Sequence, residues 1–130
     1  MGPFPAGLVL HSWTGPPDMV IPLARVEGVH FSLSGFTTRA NPSKLAQTVK
    51  QIPLDRLLLE TDAPDGLPKE HRLSGCGQQE QPINRPANIR TICTRVASAM
   101  GVHEELIANA AHRNALKLFR FGQKALHASS

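Results

Sequence analysis

The sequence predicts an α/β fold in which three short parallel strands alternate with helices. Leu8–His11 is an apolar run ended by Ser12-Trp13-Thr14-Gly15-Pro16-Pro17, which reads as a strand and its turn. Val29–Gly35 alternates apolar and polar residues with the period of a strand. Leu57–Asp62 is a third strand, stopped by Ala63-Pro64-Asp65-Gly66. The intervals between these runs fit right-handed parallel crossovers.

The helices follow from spacing and from their end residues. Met19 to Val26 is helix-like, provided that Pro22 falls in the first turn, where a proline does no harm. Asn41-Pro42 supplies an N-cap and a first-turn proline, and Leu45, Ala46, Val49 and Ile52 follow at helical steps. Residues 65–85 read as a long polar loop, a length that in a compact domain goes with function or disorder. Pro86 then opens a helix whose apolar stripe is Ile89, Ile92, Cys93, Val96, Ala97 and Met100, closed by Gly101. His103 to Phe121 reads as one or two further helices, with Leu106, Ile107, Ala110, Leu118 and Phe119 expected to face inward. Residues 1–121 are expected to form one unit and 122–130 a frayed tail.

Three strands with their helices amount to about three-eighths of a (β/α)8 barrel. A small open parallel sheet is the alternative. Composition narrows the function classes. The 130 residues contain no apolar run near the roughly 20 residues that span a bilayer, so no membrane partner is expected. The start lacks a basic segment before its short apolar stretch, which argues against a secretory signal. Cys76 and Cys93 have no CxxC partner and give no disulfide framework, which suits a reducing compartment, cytoplasm or nucleus. The net charge of +4 is uneven: residues 85–130 carry seven basic and two acidic side chains. That segment suits a polyanion, although composition alone favours an ordinary solvated helix face.

Two polar residues close apolar strands, His11 the first and Asp62 the third. On an α/β barrel the C-terminal strand ends are where catalytic groups gather. Strand periodicity places Val9 with His11, and Leu58 with Glu60 and Asp62. If those faces line the barrel, His11 and Asp62 converge at its mouth, as an imidazole and a carboxylate suited to a divalent cation.

These same segments carry a resemblance. His11-Ser12-Trp13-Thr14-Gly15, Phe31-Ser32-Leu33-Ser34-Gly35 and Ile52-Pro53-Leu54-Asp55-Arg56-Leu57-Leu58-Leu59-Glu60-Thr61-Asp62-Ala63-Pro64 resemble the TatD-type deoxyribonuclease family. Arg85-Pro86-Ala87-Asn88-Ile89 and Asn114-Ala115-Leu116-Lys117-Leu118-Phe119 are similar to its C-terminal signatures. The resemblance implies a metal-dependent hydrolase of the amidohydrolase-like barrel class, with DNA as substrate and Mg, Mn or Zn as cofactor. It implies that His11 ends strand six and binds metal. It also implies that Asp62 ends strand eight, binds metal and orients or deprotonates the attacking water. The family's remaining ligands are a His-x-His pair, a mid-barrel Glu and a His ending strand five. They have no counterpart in this sequence and are expected upstream of residue 1. The chain is therefore expected to correspond to strands six to eight, and to be weakly active or inactive alone.

Other residues are weighed against plainer roles. Glu60, one pleat below Asp62, is expected in an ion pair and not in the chemistry. His30 is expected to line the barrel, Trp13 to stack on a base or cover the mouth, and His71 to remain in the loop. Thr61 and Ser34 are expected to be strand-end hydrogen-bonding groups. Asn84 and Arg85 fall beside the active-site loop, where Arg85 is a candidate phosphate contact, while Arg90 and Arg95 are most simply solvated. Asn114 is expected to link helices by a hydrogen bond. Two rival functions stay open: a non-catalytic remnant that self-associates through exposed strand edges, and a basic nucleic-acid-binding module.

Overall fold

The computed structural model describes residues 1–73 and 82–120. The expected tail at 122–130, the centre of the expected 65–85 loop and Cys76 lie outside the described residues. The chain opens with β1 (Leu8–Leu10), and a 3-10 turn at Pro17–Met19 leads into α1 (Val20–Ala24). Pro22 thus falls in the first turn of α1, the place its missing N–H allows. Next comes β2 (Val29–Leu33), two residues shorter than its alternation suggests. The strand stops because Ser34 turns out of it to cap α2 (Gly35–Thr38): Ser34 Oγ accepts from Phe36 N–H, and Ser34 N–H donates to Thr37 Oγ1. In α3 (Pro42–Val49) the Asn41 side chain accepts from Lys44 N–H at 2.8 Å, the predicted cap.

A 3-10 turn at Leu54–Arg56 delivers β3 (Leu57–Leu59), which ends three residues before Asp62. The expected loop contains α4 (Lys69–Leu73). His71 Nε2 lies 2.9 Å from Thr91 Oγ1, and Glu70 pairs with Arg95 at 2.8 Å. Arg95 is therefore engaged and not simply solvated. After a 3-10 turn at Pro86–Asn88 come α5 (Ile89–Met100), ended by the left-handed Gly101, and α6 (Glu104–Leu118).

The sheet order is β1-β2-β3, with both pairings parallel. The register sets Leu8 beside Val29, Leu10 beside Phe31, and Phe31 and Leu33 beside Leu57 and Leu59. These residues form one face, which packs with Val20, Leu45, Val49, Ile92, Val96 and Ile107 into the core. Val9, His30, Ser32 and Leu58 form the opposite face. On α6 the buried positions are Ile107, Ala110, Ala111 and Asn114, a stripe at i, i+3, i+4 and i+7. Leu106 lies about 100° off that stripe and is exposed, and Phe119 follows the last helical residue and is exposed too, against expectation. Asn114 Nδ2 donates to Leu54 O at 2.7 Å and Leu57 O at 2.8 Å, so it ties α6 to the 3-10 turn at Leu54–Arg56 and to the start of β3. Among the described residues no helix is long and apolar enough to cross a membrane.

Candidate metal centre

The C-terminal ends of the three strands are clipped together by the residues that follow them. Trp13 N–H donates to Ser32 O at 2.9 Å, and Glu60 N–H donates to Leu33 O at 3.0 Å. Ser12 sits in the left-handed region at φ 47° and donates its N–H to Glu60 Oε1, while its hydroxyl bonds the Ser34 hydroxyl. Residues just past β1 and β3 are thus fixed to the end of β2 and to one another. A short side chain at position 12 is what permits the turn and both bonds.

This clipping sets His11 between two carboxylates. Its Nδ1 is 2.7 Å from Glu60 Oε2, and its Nε2 is 3.4 Å from Asp62 Oδ1. One ligand atom from each of His11, Glu60 and Asp62 can be chosen so that all lie within 4.8 Å of one another. The imidazole is largely exposed, and Glu60 and Asp62 are half-buried. The Glu60 hydrogen bond, then the Glu60 charge and more weakly the Asp62 charge, hold the His11 pKa above its usual value against a small desolvation effect. Both Glu60 oxygens are occupied, one by Nδ1 and one by Ser12 N–H. Glu60 thereby fixes the ring so that Nε2 faces Asp62, the arrangement by which a carboxylate orients a metal-binding histidine.

Asp62 lies beyond β3, with φ 55°, and a second set of bonds holds it. Asn84, buried, donates through Nδ2 to Thr61 O at 2.6 Å and to Asp65 O, and its Oδ1 accepts from Asn88 Nδ2 at 2.8 Å. Asn84 N–H also reaches Pro64 O at 3.3 Å. Both sides of the Asp62 turn are therefore anchored to one side chain from the segment before α5.

The other sequence-predicted residues are placed as follows. Trp13 packs its ring edge-on to Phe31, with centroids 5.6 Å apart, and begins a hollow beside the site. Arg85 is exposed next to Asn84; the side chain that enters the loop is Asn84. His71 is bonded to Thr91, and His30 Nδ1 lies 3.0 Å from Gly28 O near the opposite strand ends. Thr61 Oγ1 accepts from Ala63 N–H. The expected Glu60 pair exists, but its partner is His11, so Glu60 belongs to the same cluster. Strand alternation marked its face; the bond to the residue after β1, two strands away, had no local signal.

Comparison with known proteins places this cluster in context. The profile of the family described as TatD related DNase matches residues 2–120. The chain belongs to that family. Among curated relatives, it is 33% identical over 120 residues to the "Uncharacterized metal-dependent hydrolase YcfH" of Escherichia coli K12, covering 92% of this chain and 42% of that protein. It is 33% identical over 116 residues to the "3'-5' ssDNA/RNA exonuclease TatD" of Pantoea vagans, covering 88% and 43%. This TatD-family chain thus spans about two-fifths of the length of the relatives it matches. The crystal structure of YjjV, a TatD homologue from Escherichia coli K12, superimposes with a TM-score of 0.67 at 28% identity, over 86% of this chain and 40% of that one. An amidohydrolase from Saccharomyces cerevisiae gives a TM-score of 0.69 at 21% identity, over 87% and 40%, a likeness of fold. The relatives' metal dependence agrees with the donor set: one imidazole and two carboxylates, nitrogen and oxygen ligands suited to a divalent cation.

Proposed function

We propose that this TatD-family chain carries part of the metal site of a phosphodiesterase acting on nucleic acid, with DNA as the first substrate. The observation that supports it most is His11 Nε2 standing 3.4 Å from Asp62 Oδ1 while Glu60 holds Nδ1. His11 and Asp62 are the metal ligands in this reading, and Glu60 orients His11. A divalent cation, Mg, Mn or Zn, supplies Lewis-acid polarisation of a phosphoryl oxygen and a more acidic water. Asp62 orients the attacking water and takes its proton. Trp13 and Arg85 border the substrate, Trp13 as a stacking surface and Arg85 as a phosphate contact.

The three strands correspond in this reading to strands six to eight of a (β/α)8 barrel. A catalytic metal usually has about three protein ligands and an open position. His11 and Asp62 with the orienting Glu60 form a partial set, so the 130 residues alone bind metal weakly and cleave DNA slowly or not at all. Among the described residues β1 and β3 each pair on one side only, and self-association through these edges is the rival outcome.

The test is calorimetric titration with Mn2+ and Zn2+, followed by incubation with end-labelled single-stranded DNA. The expected result is metal binding that His11→Ala and Asp62→Asn each abolish. Absent binding, or binding unchanged in both variants, would overturn the proposal. Sizing the chain across a concentration series separates self-association from metal binding.

A further inference from the structure

Beside the His11–Asp62 cluster runs a hollow of about 260 Å³ whose walls include Trp13, Thr14, Phe36, Arg39 and Lys44. It has two aromatic rings and two cations, and among the described residues no carboxylate lines it. Phe36 is 38% exposed, so part of its ring is open to solvent beside the hollow. The Arg39 guanidinium lies 4.6 Å above the Phe36 ring centroid, held there by bonds from Nε and Nη2 to Leu67 O at 3.0 and 2.8 Å. Lys44 projects from the first turn of α3, with Nζ 3.5 Å from Thr14 O. Trp13 has a buried indole N–H with no hydrogen-bond partner among the described residues.

The hollow is linked to the candidate metal site through Phe36. A Cβ built on Gly66 would lie 3.0 Å from Asp62 Cβ and 3.2 Å from Phe36 Cε2, so the exposed ring and the carboxylate flank one point. Phe36 and Arg39 also border a second hollow with Pro64, Asp65 and Gly66, on the turn that holds Asp62. Trp13 is two residues from His11 along the chain. A ligand that passes from the hollow over Phe36 therefore meets the turn that holds Asp62.

We propose that Phe36, with Arg39 and Lys44 beside it, forms a subsite for an unpaired nucleobase and its adjoining phosphate, next to the bond to be cleaved. An aromatic face is indifferent to base identity, and cations beside it track the backbone, the combination that binds single strands without sequence preference. The identity of the ligand as nucleic acid rests on the hydrolase reading above. The site itself rests on the ring, the two cations and their position.

The experiment uses the 130-residue chain in a chelator, so that metal binding plays no part. Trp13 is the one tryptophan and there is no tyrosine, so intrinsic fluorescence reports on this hollow alone. The probes are a short oligothymidylate and an abasic strand of equal length. Oligothymidylate is expected to change Trp13 emission and to bind about tenfold more tightly than the abasic strand. Phe36→Ala and Phe36→Leu are each expected to lower oligothymidylate affinity to the abasic level and leave the abasic strand unaffected. Phe36→Leu keeps apolar bulk and guards against a folding defect. Lys44→Ala is expected to weaken both strands and reduce the salt slope by about one. Equal affinity for the two strands, full affinity in both Phe36 variants, or no binding would overturn the subsite. The metal titration in the absence of nucleic acid decides the hydrolase reading separately, so either can fail while the other stands.

Discussion

His11 Nδ1 lies 2.7 Å from Glu60 Oε2, and that one bond connects the end of β1 to the end of β3 while aiming Nε2 at Asp62. It also favours the protonated ring. The Glu60 hydrogen bond, followed by the carboxylate charges, raises the His11 pKa in the folded chain above its usual value of about 6.5. A raised folded value means that protonated His11 adds stability that is fully present below the unfolded pKa and is lost as pH rises through the folded one. The expected measurement is an NMR titration of the His11 ring protons with a midpoint above about 6.5, brought down by Glu60→Gln. A midpoint at or below the unperturbed value would contradict the geometry. On the proposed ligation a proton and a metal compete for Nε2, so metal affinity is expected to increase with pH across the same range.

Asn84 is expected to act on Asp62 without touching the ion. Asn84→Ala removes the donor to two carbonyls, Thr61 O and Asp65 O, on either side of the Asp62 turn. Leaving buried acceptors without partners costs about 1–3 kcal/mol. Metal affinity should fall with it, while the His11 titration shifts little, because the larger causes of its raised pKa, the Glu60 hydrogen bond and charge, do not pass through Asn84. Asn84→Asp should be worse than Asn84→Ala, since it turns a carboxylate toward two carbonyl oxygens. Unchanged metal affinity in both variants would show that the turn holds its shape without them.

Asn114 provides the opposite control. Its amide closes two bonds from α6 to the beginning of β3, at the strand end away from the cluster. Asn114→Ala is expected to lower stability by about 1–3 kcal/mol in urea denaturation. It should leave the metal affinity of the folded fraction unchanged. A loss of metal affinity equal to that of Asn84→Ala would mean that the site senses the whole sheet and not its local turn.

How much of this was legible in the residues depends on whether the signal was local. Alternation and turn chemistry were enough for the three strands and their parallel order, and Asn41-Pro42 was enough for the start of α3. Period two also put Glu60 on the same side as Asp62. It did so by extending the strand through Asp62, whereas β3 stops at Leu59 and Asp62 has a left-handed φ. The convergence with His11 comes from the turn and its Asn84 anchor, a contact across some twenty residues that no periodicity encodes. The four-residue α2 has no counterpart in the sequence reading, where only its Gly35 falls in the strand, because a single turn has no repeat to detect, although Ser34 and Thr37 at i and i+3 are its cap. That short helix carries Phe36, so the exposed ring next to the site was missed with it.

Gly35, where β2 hands over to α2, is expected to be among the least replaceable residues near the site. A Cβ there would fall 1.7 Å from Gly66 O and 3.0 Å from Pro68 N, both backbone atoms that cannot swing aside. The turn after β2 and the turn that holds Asp62 are in direct contact at this point, which places α2 and Phe36 against the cluster. Gly35→Ala must push the Asp62 turn away from the sheet or fail to fold. The expected cost is about 1–3 kcal/mol or more by urea denaturation, the usual range for overpacking, with weakened metal binding in whatever still folds. Gly101→Ala is the reference: nothing lies within 4 Å of its added Cβ, so only the strain of φ 71° is felt, about 1–2 kcal/mol, and metal affinity is untouched. If Gly35→Ala proves as mild as Gly101→Ala and retains metal affinity, the two turns are not pressed together, and the placement of Phe36 beside Asp62 falls with that contact.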